Sequence, residues 1–176
     1  MFNLKSLALG TIAALSTVAP VEAAVNHNGV TFHEPSDFSG HYSVLVRQLY
    51  QVGVAVVDGR GTNGCPDGVA GWYSGEDNLM VICGGSHAFR AETLTHEAVH
   101  VVQDCRAGLG NSQLNGPSPK FFRQLAGDLA QSKVDLIVNQ YDESKWKVET
   151  EAFYFETRPQ LVRAAMTNVC GASWSF

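Results

Sequence analysis

Two histidines flanking a glutamate, in the order His96-Glu97-Ala98-Val99-His100, restrict this chain more than any other feature. On an α-helix, residues four apart lie on one face about one turn from each other. Both imidazoles can then reach a single zinc ion, and the intervening glutamate can polarise a water molecule there. Five-residue patterns also arise by coincidence, so the flanking residues must decide. Gly84 and Gly85 close the preceding segment, Ser86 offers N-cap chemistry, and neither proline nor glycine interrupts residues 87–107. Gly108 and Gly110 are stop signals, and Arg106 is a cation suited to a helix C-terminus. Phe89, Thr93, His96, His100 and Gln103 share one stripe of this helix. Leu94, Ala98, Val101 and Cys105 form a second, and Val99 with Val102 a third. A helix apolar on most sides is a buried one. Buried histidines need partners, and a metal is the partner this spacing suggests.

A chain of 176 residues accommodates one domain with a proper core. The formal net charge of -5, with no basic run or aromatic-basic interleaving, argues against nucleic acid or an anionic membrane as partner. The N-terminus has the form of a secretory signal: Lys5, an apolar stretch at 7–19, then Val21-Glu22-Ala23. Cleavage is expected after Ala23, leaving residues 24–176 as a single domain, secreted or periplasmic. The apolar stretch is short for a membrane span, and no second one follows. Four cysteines in an exported chain suggest two disulfides, with three possible connectivities. No C-x-x-C spacing favours thiolate metal ligation. Cys65–Cys83 would staple a hairpin, and Cys105–Cys170 would tie the motif helix to the C-terminal segment.

Along the chain, residues 24–35 read as an extended lead-in, and 38–51 as a helix through Tyr42, Leu45, Val46, Leu49 and Tyr50. Residues 53–57 read as a buried strand and 58–68 as a glycine-rich loop. Two strand-like runs, 69–74 and 79–83, flank a polar turn and predict a hairpin just before the motif helix. Its second strand is expected to form a cleft wall, where an exposed edge would pair with an extended peptide. The plainer alternative makes the hairpin core only. Helices are expected over 120–131, 144–157 and 159–170, with a helical turn at 134–138. Strands grouped ahead of helices give an α+β domain: a small antiparallel sheet or hairpin packed on the motif helix, with further helices and disulfide staples.

A catalytic zinc takes three protein ligands and keeps a position open. The metzincin continuation would require glycine at 103 and histidine at 106, where Gln103 and Arg106 stand. That leaves a carboxylate from a later helix, and Val148-Glu149-Thr150-Glu151-Ala152-Phe153 supplies two. Glu149 and Glu151 point to nearly opposite sides of a helix, and periodicity does not choose between them. With the motif at 96–100 and this segment, the chain resembles the zincin metallopeptidases. More narrowly it resembles the gluzincin branch, in which H-E-x-x-H is followed by an E-x-x-A-D-like helix. The resemblance runs from the hairpin to the penultimate helix. It implies Glu149 as third ligand, since Ala152 falls three residues later. Phe153 departs from the pattern, standing where an aspartate would orient the first histidine. Asp104, Asp128, Glu156 or a backbone carbonyl must substitute.

The resemblance implies a zinc-dependent peptidase acting on peptides or proteins. Zn2+ would be held by His96, His100 and Glu149, with Glu97 moving the proton between water and the leaving amine. Tyr73, Tyr141, Tyr154 and Arg158 are candidate donors to the developing oxyanion. A zinc-bound module without activity is the alternative, though binding alone does not require Glu97. Glu97-Ala98-Val99-His100 is also half of a di-iron pattern, but no second E-x-x-H exists. A disulfide-stapled binding domain with a fortuitous motif is the third reading. His27, His33, His41 and His87 are expected to be surface or ordinary structural residues.

Overall fold

The computed structural model describes residues 31–60, 64–110 and 113–172. The expected signal segment, residues 1–23, and His27 lie outside them. Among the described residues, four strands and six α-helices follow one another, with the strands in the first half, so the architecture is α+β. A short strand β1 (Thr31–Phe32) and a 3₁₀ turn at Pro35–Asp37 lead into helix α1 (His41–Gln51). Strands β2 (Ala55–Asp58), β3 (Gly71–Ser74) and β4 (Leu79–Ile82) come next. The long helix α2 (His87–Ala107) follows, then α3 (Pro119–Asp128), α4 (Gln131–Gln140), α5 (Trp146–Phe155) and α6 (Pro159–Cys170).

The sheet is mixed, in the order β1-β2-β4-β3. The 71–82 hairpin forms as expected, with Trp72 opposite Val81. The other edge of β4 is taken by β2 running parallel to it, Val56 opposite Met80. A small antiparallel sheet or hairpin was expected: the hairpin is antiparallel, but β2 takes the edge of β4 that β3 leaves and runs parallel to it, so the sheet is mixed. The expected cleft wall changes too. With both its edges paired, β4 cannot accept a peptide, and its Met80, Val81 and Ile82 are buried. Among the described residues the edge strands are β1 and β3, so the hairpin's free edge belongs to β3, its first strand. The lead-in contributes β1, two residues antiparallel to β2, which pattern alone did not reveal.

Helix α2 is the centre of the molecule. The Ser86 hydroxyl accepts from the Phe89 amide, as its N-cap role predicts, and Gly108 ends the helix at φ 98°. From Ala91 to Asp104 nearly every side chain is buried. Sheet, α1, α5 and α6 surround it, and one core cluster runs from Phe38 through Leu94, Ala98 and Val101 to Met166 and Ala172. Leu94 is fully enclosed, so cutting it to alanine would cost about 2–5 kcal/mol. Both expected disulfides form: Cys65–Cys83, and Cys105–Cys170, which ties α2 to the last residue of α6. Among the described residues, no helix is long and apolar enough to cross a membrane.

Candidate metal centre

His96 and His100 project from the same side of α2, their ring centroids 5.1 Å apart. Helix α5 crosses there and presents Glu149, whose Oε2 lies 3.4 Å from His96 Nε2 and whose Oε1 lies 3.6 Å from His100 Nε2. Donors around a tetrahedral zinc, with bonds of about 2.0–2.1 Å, stand roughly 3.3 Å apart. One ligand atom from each residue lies within 4.8 Å of the other two, and all three residues are buried. Glu149 Oε2 is buried without a hydrogen bond. Two imidazoles and an under-satisfied carboxylate, enclosed together, fit a metal ion.

The charges of His96, His100 and Glu149 act on one another. Burial opposes the His96 imidazolium, but Glu149 and Glu156, with Glu97 beyond them, outweigh it and raise the pKa to about 9. Burial likewise opposes the Glu149 anion, yet His100 and His96 hold its pKa down at about 2. Glu97, one residue from His96, is buried, and that burial raises its carboxyl above the ordinary range.

The two candidate glutamates part as the helical geometry requires. Glu149 faces the histidines, while Glu151 turns to the other side of α5 and receives Arg106 through both oxygens, at 2.8 Å each. Arg106, expected only to complement the end of a helix, is the ionic partner of a carboxylate that is 1% exposed. Gln103 joins this group to the metal centre. Its Oε1 is 2.8 Å from His100 Nδ1, and its Nε2 donates to the Val148 carbonyl and to Glu151 Oε2, both at 3.0 Å.

His96 is held differently. Glu156 Oε2 stands 3.5 Å from its Nδ1, and Lys133 Nζ on α4 binds Glu156 Oε1 at 2.8 Å. Phe153 packs edge-on against the His96 ring, centroids 4.5 Å apart, and Lys133 lies over the outer face of Phe153. Of the groups expected to stand beside His96, Glu156 is the one found there. Asp104 is not, because it accepts from Tyr73 Oη at 2.7 Å and from the Gly110 amide.

Of the four candidate oxyanion donors, Tyr73 and Arg158 donate elsewhere, to Asp104 and to the Tyr154 carbonyl, and Tyr154 carries Arg158 on its ring. Tyr141 lies close enough to the site to feel it: burial, then the charges of Glu149 and Glu97, raise its phenol pKa. Sequence reasoning missed Gln103 and Lys133 as partners. The position of Gln103, three residues after His100 on the histidine stripe, was the available signal for the first. Lys133 left none. His33 is buried against Phe38 and Asp37, and His41 and His87 contact Arg163 and the Asp37 carbonyl, all apart from the centre.

Over residues 86–171 the chain is similar to a family described as a domain of unknown function, DUF8637. That span begins at the cap of α2, ends just after α6, and takes in every residue of the centre while leaving out the sheet. No curated protein and no solved structure matches the chain.

Proposed function

We propose that the chain is an exported zinc-dependent metallopeptidase of the gluzincin kind. The observation that carries this reading is the convergence of His96, His100 and Glu149 beside Glu97. His96, His100 and Glu149 would hold zinc, which supplies Lewis acidity there, acidifying water and polarising a carbonyl. Glu97 lies between the two histidines on α2, and its carboxyl, raised above the ordinary range by burial, suits a group that must both take and give a proton. It accepts the proton of the attacking water and passes it to the amine as the C–N bond breaks. Tyr141 donates to the carbonyl oxygen as negative charge gathers on it. Gly71 of β3 lies against Glu97, and β3 is an edge strand whose free side would offer backbone groups to an extended peptide. Two disulfides fit an oxidising compartment, which supports export.

Metal analysis and a cleavage assay on an unfolded protein substrate test the proposal. Wild type should hold one zinc and cleave; Glu97→Gln should keep the zinc and lose cleavage. Full zinc in wild type with no hydrolysis across a broad peptide library would leave a non-catalytic zinc-binding module. No stoichiometric zinc would leave a disulfide-stapled binding domain.

A further inference from the structure

Every hydrogen-bonding capacity between His100 and Arg106 is assigned by its neighbours. Arg106 offers two N–H groups to the two oxygens of Glu151, so Glu151 is an acceptor throughout. The Val148 carbonyl can only accept. Gln103 meets both of these with one end of its amide, which must be the NH₂ end. A flipped amide would set its oxygen against two acceptors inside the core, where Gln103 is wholly buried. Its Oε1 therefore faces His100, and Nδ1 must carry the hydrogen. A neutral imidazole protonated at Nδ1 has its lone pair on Nε2, the atom turned toward Glu149.

Resting on the metal centre proposed above, we infer that Arg106, Glu151 and Gln103 are positioning residues that fix the tautomer and ring orientation of His100 for metal binding. The relay runs from α2 to α5 and back, and Val148 is the neighbour of Glu149. It therefore also sets the approach of the two helices that carry the ligands. His96 is oriented by a separate pair, Glu156 and Lys133, so the two histidines are held by independent devices. A packing role alone would need neither the amide order nor the ion pair, since apolar side chains of similar volume would fill the space.

The test is zinc affinity by chelator competition, with the visible spectrum of the cobalt-loaded protein as second readout. Gln103→Leu fills the same space, and should bind zinc about 10–100-fold more weakly with an altered cobalt spectrum. Gln103→Glu should also weaken binding, because it sets a carboxylate against Glu151 and the Val148 carbonyl. Wild-type affinity and spectrum in Gln103→Leu would overturn the relay while leaving the metal centre standing. If Gln103→Leu does not fold, Gln103→Glu decides by the same two readouts, and wild-type affinity and spectrum in it overturn the relay. Wild type that takes up no zinc overturns the centre and the relay together.

Discussion

At Gly71 the edge strand β3 packs against the motif helix, and a single methyl group there should separate the site from its scaffold. A Cβ built on Gly71 would stand 2.6 Å from Thr93 Cγ2 and 2.7 Å from the Val81 carbonyl oxygen, with Glu97 Cγ at 3.6 Å. Carbon atoms pack at about 3.5–4.0 Å, so the strand must retreat by roughly 1 Å. Neither obstacle yields easily: Thr93 is β-branched on a buried helix, and the carbonyl belongs to the central strand. Overpacking of this kind costs about 1–3 kcal/mol. For a chain of this size that lowers Tm by roughly 2–12 °C. The same retreat moves β3 relative to Glu97, and a 1 Å misplacement can cost on the order of 100-fold in turnover. Gly71→Ala should therefore keep its zinc, unfold earlier and cleave far more slowly. Gly127, in α3, provides the internal control, because a Cβ there meets nothing within 4 Å. Gly127→Ala should stabilise by about 0.5–1 kcal/mol through the helix and leave cleavage unchanged. Thermal unfolding and kcat/KM of both variants decide. Unchanged Tm and kcat/KM in Gly71→Ala, or equal destabilisation by both, would refute the steric reasoning.

Further outcomes follow from the same contacts. Removing Cys105–Cys170, which closes 65 residues of chain, should cost about 4 kcal/mol, and removing Cys65–Cys83, which closes 18, about 3. Guanidinium unfolding that reversed this order would exclude loop length as the cause. In the metal-free protein, the stabilisation from His96 is complete below its ordinary 6.5 and lost as pH rises through about 9. That from Glu149 is complete above its ordinary 4.5 and lost as pH falls through about 2. The pair thus contributes most between these ordinary values. Zinc requires neutral His96, so the rise in Tm on adding zinc should grow from pH 6.5 to 9, and a pH-independent rise would contradict this linkage. Tyr141→Phe should lower kcat about 100–1,000-fold at unchanged zinc content, whereas Arg158→Lys should leave it within a few-fold. Equal losses in both would remove Tyr141 from the role of donor.

The sequence alone determined the motif helix, its cap at Ser86, its burial and the shared face of His96 and His100. All of these follow from the 3.6-residue period and from side chains within one or two turns. It also determined the α+β class and the hairpin, whose signals are local alternation and turn residues. The cysteine count called for two bridges, and the pairing chosen on position in the chain is the one formed. Only the tertiary structure decided how these pieces meet. The parallel pairing of β2 with β4, and with it the transfer of the open edge to β3, depends on a β4 edge that no local pattern reports. Residues 149 and 151 looked equivalent by periodicity, and what separates them is Arg106, some 45 positions away, holding one carboxylate so that the other faces the histidines. Glu156 orients His96 only because Lys133 arrives from another helix, and Tyr141 stands apart from the other candidate donors only because Asp104 and Tyr154 occupy its rivals. A local pattern carries the period of one element. A buried polar group is satisfied by whatever the fold brings to it, and that is written across the whole chain.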